Sequence, residues 1–193
     1  MYWVWVNVID SEKEAIIYGS PKALDQLRES GVRFDDGINI KVNVPSLLIE
    51  RDEDSQGRLN DNVIAFGTTG LLFSSKLRGV LAASGVDNIE YFPVRIVNLL
   101  DGSNTDDYHL ANIVGRIACV DLVASDVQMH QVFTDQIEFI DALVLDESRI
   151  FGTLYFRLLE HSQVVIVHEQ VKISCEQAGV TGVRFVRPEY FSQ

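Results

Sequence analysis

The chain has 193 residues, 47% hydrophobic and 23% charged, a balance that suits one globular domain with a sizeable core and excludes a disordered or fibrous chain. Sixteen Lys and Arg stand against 28 Asp and Glu, a formal charge of −12. That sign disfavours a phosphate backbone or an anionic membrane as direct partner and suggests a basic protein.

Taken from the start, Tyr2-Trp3-Val4-Trp5-Val6-Asn7-Val8 is aromatic and β-branched, which predicts a first strand covered on both faces. Met1 to Asp10 has neither a basic leader nor a small-residue cleavage site and is too short to span a bilayer, so a cytoplasmic protein is expected. Further strands are predicted at Leu47–Glu50, Val63–Phe66, Ile89–Val97, Ile113–Val123, Ile137–Leu145, Leu154–Leu159, Val164–Val167 and Val183–Val186. Two stretches, Arg51–Asn62 and Asp101–Asp107, are dense in turn residues and predict surface loops.

One piece of grammar recurs three times. Ile16-Ile17-Tyr18 leads to Ser20, a helical stretch and Gly31; Leu71-Leu72-Phe73 leads to Ser74, a helical stretch and Gly85; Val164–Val167 leads to His168, a helical stretch and Gly179. The first residue of each pair can accept the free N–H groups of a first turn, and glycine ends a helix of about three turns. Pro21 sits at the first helical position of its unit. Leu77, Val80, Leu81 and Ser84 share one face of the second helix, and Val171, Cys175 and Ala178 one face of the third. The unequal intervals between units exclude a solenoid. Together these elements predict a single α+β domain over residues 1–193, with a mostly antiparallel or mixed sheet and about three short helices; residues 1–59 are the least typical part.

Residues able to carry chemistry do not assemble. His109, His130, His161 and His168 include no pair at helical ligand spacing, and Asp106, Asp107 and His109 lie in a turn, so no metal or other cofactor is expected. Cys119 sits in Ile117-Ala118-Cys119-Val120 and Cys175 in a helical run, both reading as core thiols of a reducing compartment. Gly67-Thr68-Thr69-Gly70 resembles a small anion cradle but lacks the Lys-Ser/Thr sequel of a nucleotide loop. The pairs Glu12 with Glu14, Asp35 with Asp36 and Asp146 with Glu147 read as solvated faces, because adjacency alone does not push two pKa values apart. Trp3, Trp5 and Tyr18 are expected in the core rather than at an interface.

Several segments taken together carry a resemblance. They are Leu72-Phe73-Ser74-Ser75-Lys76-Leu77 to Gly85, Ile89-Glu90-Tyr91-Phe92-Pro93-Val94, Tyr108-His109-Leu110-Ala111-Asn112 running to Cys119-Val120-Asp121 and Ser125, Leu143-Val144-Leu145-Asp146-Glu147-Ser148 leading to Phe156-Arg157, and the closing stretch from Val164 to Gly179 and Phe185. Over residues 60–186 the chain is similar to a bacterial family of polymorphic-toxin immunity proteins. The resemblance implies a cytoplasmic, non-enzymatic protein that binds and neutralises a toxin encoded beside it.

A toxin inhibitor of this charge is expected to present Asp52, Glu53, Asp54, Asp106 and Asp107 to a basic partner. The alternative is a small-ligand binder or enzyme using the Gly67–Gly70 turn or the His109/Cys119 region, which predicts a pocket of several hundred Å³. A third reading, a subunit of a larger assembly, predicts a self-associating strand edge.

Overall fold

A computed structural model of the chain describes residues 1–8, 15, 17–44 and 46–193. The Glu12/Glu14 pair and Ile16 therefore lie outside the described residues. In chain order the elements are β1 (Tyr2–Asn7), β2 (Ile17–Gly19), α1 (Pro21–Ser30), β3 (Leu47–Arg51), β4 (Asn62–Phe66), β5 (Leu71–Ser74), α2 (Ser75–Ala83), β6 (Ile89–Asn98), β7 (Asn104–Thr105), β8 (Tyr108–Ile113), β9 (Arg116–Ile117), β10 (Asp126–Met129), β11 (Ile137–Ala142), β12 (Tyr155–Leu158), β13 (Val165–His168), α3 (Glu169–Gln177) and β14 (Val183–Val186). The class is α+β with mixed and antiparallel sheets, as the sequence predicts.

All three helices begin and end where the spacing places them. Ser20 accepts from Ala23 N–H, Ser74 from Leu77 N–H and His168 from Gln170 N–H. Gly31, Gly85 and Gly179 follow the last turns with φ of +67°, +87° and +62°. Each cap satisfies a donor the helix leaves unpaired, a contribution of about 1 kcal/mol. Leu77 and Leu81 of α2, and Val171 and Cys175 of α3, are buried as their spacing requires. Ala178 is exposed instead, because it is the residue just beyond the last turn of α3.

β3 pairs with both β2 and β6, so the order β3-β2-β4-β5-β8-β6 closes into a ring, with β7 hung on β6 as a short hairpin. Alternation along these strands turns Ile17, Leu47, Ile49, Val63, Ala65, Leu72, Val94, Ile96 and Leu110 into the ring's interior. Leu71, Phe73, Ala111 and Ile113 point outward and pack with α2, α3 and Trp5, Tyr155, Val165 and Val167 of the second sheet. That sheet has the order β14-β1-β13-β12-β9. Its other face carries Tyr2, Val4, Phe156, Leu158 and Ile166, covered by Ile137 and Ile140 of the β10–β11 hairpin and by Phe191. β1 is thus covered on both faces, with Trp5 packed edge-on to Tyr155 and Phe185 at centroid distances of 5.3 and 5.5 Å.

Two strand expectations are corrected. The run Ile113–Val123 is not one strand: Gly115, at φ +110°, turns the chain out of the ring, and Arg116–Ile117 then join the second sheet beside β12. The strand itself lies upstream at Tyr108–Ile113. Ile137–Leu145 ends at Ala142 and pairs with Asp126–Met129, a half-exposed strand whose alternate polar residues hide its signal; Leu145 makes a single bridge to Val120. Tyr18 is also corrected: Ile17 takes the interior position, so Tyr18 points out of the ring, 56% exposed, beside Phe66.

Candidate functional site

Both acidic loops leave the same end of the ring. β3 and β6 run parallel with Arg51 opposite Asn98, so the segments following each strand emerge side by side. Leu99 N–H donates to Arg51 C=O at 2.8 Å. Beyond it the side chains of Gln56 and Asn98 exchange two amide hydrogen bonds of 3.0 and 2.9 Å. Asp52 accepts from Asp54 N–H at 3.1 Å and so caps a single 3-10 turn over Glu53–Ser55. Arg51 Nη2 reaches Gly57 C=O at 2.7 Å. The result is a braced, exposed tip bearing Asp52, Glu53 and Asp54.

Across from them the β6–β7 turn presents Asp101, whose carboxylate accepts from the hydroxyl and N–H of Ser103 at 2.6 and 2.8 Å; those bonds hold its pKa below the ordinary value. Leu99 and Leu100 stand on the same turn at 56% and 63% exposure. Two adjacent leucines left in water beside a row of carboxylates form an apolar centre with a charged rim, the composition of a protein-binding patch.

Asp106 and Asp107 lie at this end too but play different parts. Arg95 grips Asp106 through two bonds of 2.7 and 2.6 Å, which holds the carboxyl's pKa down and cancels its charge locally. Arg95 pairs in register with Leu48, three residues before Arg51, so this pair sits about 10 Å along the strand from the tip. Asp107 keeps an exposed side chain while its C=O accepts from Ser75 Oγ and Arg78 Nη2.

Groups that could carry chemistry are held apart. Cys119 is fully buried in the core beneath the β10–β11 hairpin, and burial, helped by the Glu160 charge, pushes its thiol up to about 12. His109 stands on β8 in register with Phe73 and Pro93; burial, then the Arg78 charge, lowers its pKa. The two therefore belong to different layers. In the Gly67–Gly70 turn, Thr68 N–H and Oγ1 both donate to Ala65 C=O, Gly70 N–H donates to Thr68 Oγ1, and Thr69 Oγ1 accepts from Phe34 N–H. These bonds engage the Thr68 and Gly70 donors locally. Arg33 binds Asp35 at 2.8 Å and Asp36 at 3.2 Å, while Asp146 pairs with Arg149 and Glu147 with the Met1 ammonium. Among the described residues, no three His, Cys, Asp or Glu side chains gather as metal ligands.

Leu99-Leu100 and Phe151 are among the exposed apolar features that escape sequence reading. Leu99-Leu100 lies just beyond β6, which ends at Asn98, and beyond the strand that the sequence predicts to end at Val97; the Asp101-Gly102 turn that follows marks it as a tip. Phe151 is 92% exposed at φ +52°, on a tight turn closed by Thr153 N–H to Ile150 C=O at 3.2 Å. A left-handed backbone beneath an aromatic in water violates two local rules at one residue.

Compared with known families, the chain matches the model described as "Immunity protein family (Imm11)" over residues 8–188. No curated protein matches it.

Proposed function

The chain belongs to the Immunity protein family (Imm11), and from that premise we propose that it neutralises one cognate bacterial toxin by binding it in the cytoplasm. Family membership carries the immunity role and a toxin partner in general, and it supports a non-enzymatic mode of action. The contact we assign to the tip of the ring: Asp52, Glu53 and Asp54 with Asp101 as a negative rim, and Leu99 and Leu100 as the anchor buried on binding.

The net charge of −12 supports a basic partner, since opposite fields accelerate encounter while the buried apolar centre sets the lifetime of the complex. Asp106, already paired with Arg95, adds less than the tip carboxylates, and Asp107 lies at the patch margin. A cytoplasmic site of action agrees with the finding that no described helix is long and apolar enough to cross a membrane.

Co-expression with the toxin domain encoded beside it provides the test. Wild-type chain is expected to restore growth and to co-elute with the toxin, and the triple change D52K/E53K/D54K to slow association at least tenfold at low ionic strength. Absence of both rescue and complex overturns the immunity reading; rescue with an unchanged association rate removes these carboxylates from the interface.

A further inference from the structure

Arg157 is a cation with too little to hold it. It lies on the face of β12 opposite Phe156 and Leu158, turned towards the ring, and is 3% exposed. Its guanidinium donates to Ser162 C=O at 2.7 Å and to Phe34 C=O at 3.4 Å, and its Nε–H has no partner. Asp35, the carboxylate whose charge it feels, has both oxygens engaged by Arg33 at 3.2 and 2.8 Å. A guanidinium cannot shed its proton, so burial with an orphaned donor costs free energy unless something else completes it.

The same guanidinium faces a cleft of about 300 Å³ between the second sheet and the ring. Asn7, Asp35, Thr69 and Gln163 form its polar walls; Ile64 and Val165 form its apolar ones. That volume is at the small end of ligand sites. We propose that this cleft binds the carboxylate of a small organic acid, received by the Arg157 guanidinium that lines it. A planar carboxylate matches one edge of a guanidinium with two parallel bonds. Asp35 sets the charge limit: one negative charge balances Arg157, whereas a phosphate dianion meets the Asp35 carboxylate as a like charge. Short apolar chains fit against Ile64 and Val165, and the Asn7 and Gln163 amides are placed for a polar substituent. The site lies away from the acidic tip and does not depend on toxin binding.

Side-chain NMR of the full chain, labelled with ¹⁵N, tests this by following the Arg157 Nε–H signal while sodium acetate is added, against sodium chloride at equal ionic strength. Acetate is expected to shift that signal, with the amides of Thr68–Leu71, along a saturating curve, and chloride to leave it in place. D35N removes the competing charge while keeping hydrogen-bond capacity, and is expected to tighten acetate binding several-fold. R157K keeps the charge but loses the paired donors, and is expected to weaken it at least tenfold. If R157K does not fold, D35N still decides the matter. No saturable acetate response in either wild type or D35N, or an equal response to chloride, overturns the proposal; tighter binding of inorganic phosphate than of acetate overturns its assignment to a monocarboxylate.

Discussion

Gln56 and Asn98 clasp each other by their amides, Nε2 to Oδ1 at 3.0 Å and Nδ2 to Oε1 at 2.9 Å, and so couple two loops that leave different strands. Gln56 also donates to Asp52 C=O, which ties the pair to the acidic turn itself. The clasp is exposed, so its contribution to global stability is small, but it fixes where the carboxylates stand relative to Leu99 and Leu100. Gln56→Ala is expected to leave the melting temperature within about 2 °C, to raise amide exchange in residues 52–56 and 98–102, and to weaken toxin binding about tenfold through faster dissociation. Unchanged exchange with unchanged affinity would show that each loop holds its shape alone.

Phe151 tests whether a locally unfavourable residue is kept for contact. Asn tolerates the left-handed region that Phe151 occupies at φ +52°, and the ring it replaces is 92% exposed, so little packing is lost. Phe151→Asn is expected to raise stability by about 1 kcal/mol in urea unfolding. A simultaneous loss of toxin affinity would enlarge the interface to include this turn, whereas destabilisation would mean that the ring is packed in solution.

The two thiols offer a check on the core. Burial pushes Cys119 and Cys175 each up to about 12, so the thiolate that attacks a disulfide reagent is nearly absent at pH 8. Native protein is expected to show no fast-reacting thiol with Ellman's reagent, and two per chain after unfolding in guanidinium. A rapidly labelled cysteine in native protein would contradict the burial of at least one core.

What local chemistry controls was legible from residue order. Ser20 to Gly31, Ser74 to Gly85 and His168 to Gly179 each carry a cap and a stop within one helix, so three helices could be placed before any tertiary contact was known. Closure of the ring was not, because the parallel pairing of Leu47–Arg51 with Val94–Asn98 depends on elements far apart in the chain. Gly115 reads as a glycine within an apolar stretch, yet it is where the chain passes from one sheet to the other. The acidic loops were visible as loops, although Asn104–Thr105 within the second forms the short strand β7; their meeting, and the leucines between them, follow from that same distant pairing. Arg157 was hidden for a further reason, since a charged residue inside a strand ordinarily marks a solvent face, and here it marks a cleft.

Asp61 joins the two sheets and is expected to contribute to the acid sensitivity of the fold. Its carboxylate accepts from Ser74 Oγ at 2.8 Å, Lys76 Nζ at 3.1 Å, Thr181 N–H at 2.9 Å and Thr181 Oγ1 at 3.1 Å, linking the start of α2 to the segment before β14. Burial alone would raise its pKa, but Thr181, Ser74 and Lys76 together hold it below the ordinary 3.8. A depressed folded-state value means that the stabilisation is fully present above about pH 4 and is lost as the pH falls through the folded pKa. Asp61→Asn, which keeps the shape and removes the charge, is expected to cost roughly 1–3 kcal/mol at pH 7, the worth of hydrogen bonds to a partly buried ion. Urea unfolding of both proteins from pH 7 to pH 2 should show the gap closing below pH 4, because the wild-type carboxyl becomes neutral there as well. A gap that stays constant to pH 2 would mean that the loss comes from hydrogen-bond geometry the amide cannot reproduce, and that charge at Asp61 contributes nothing to holding the ring against the second sheet.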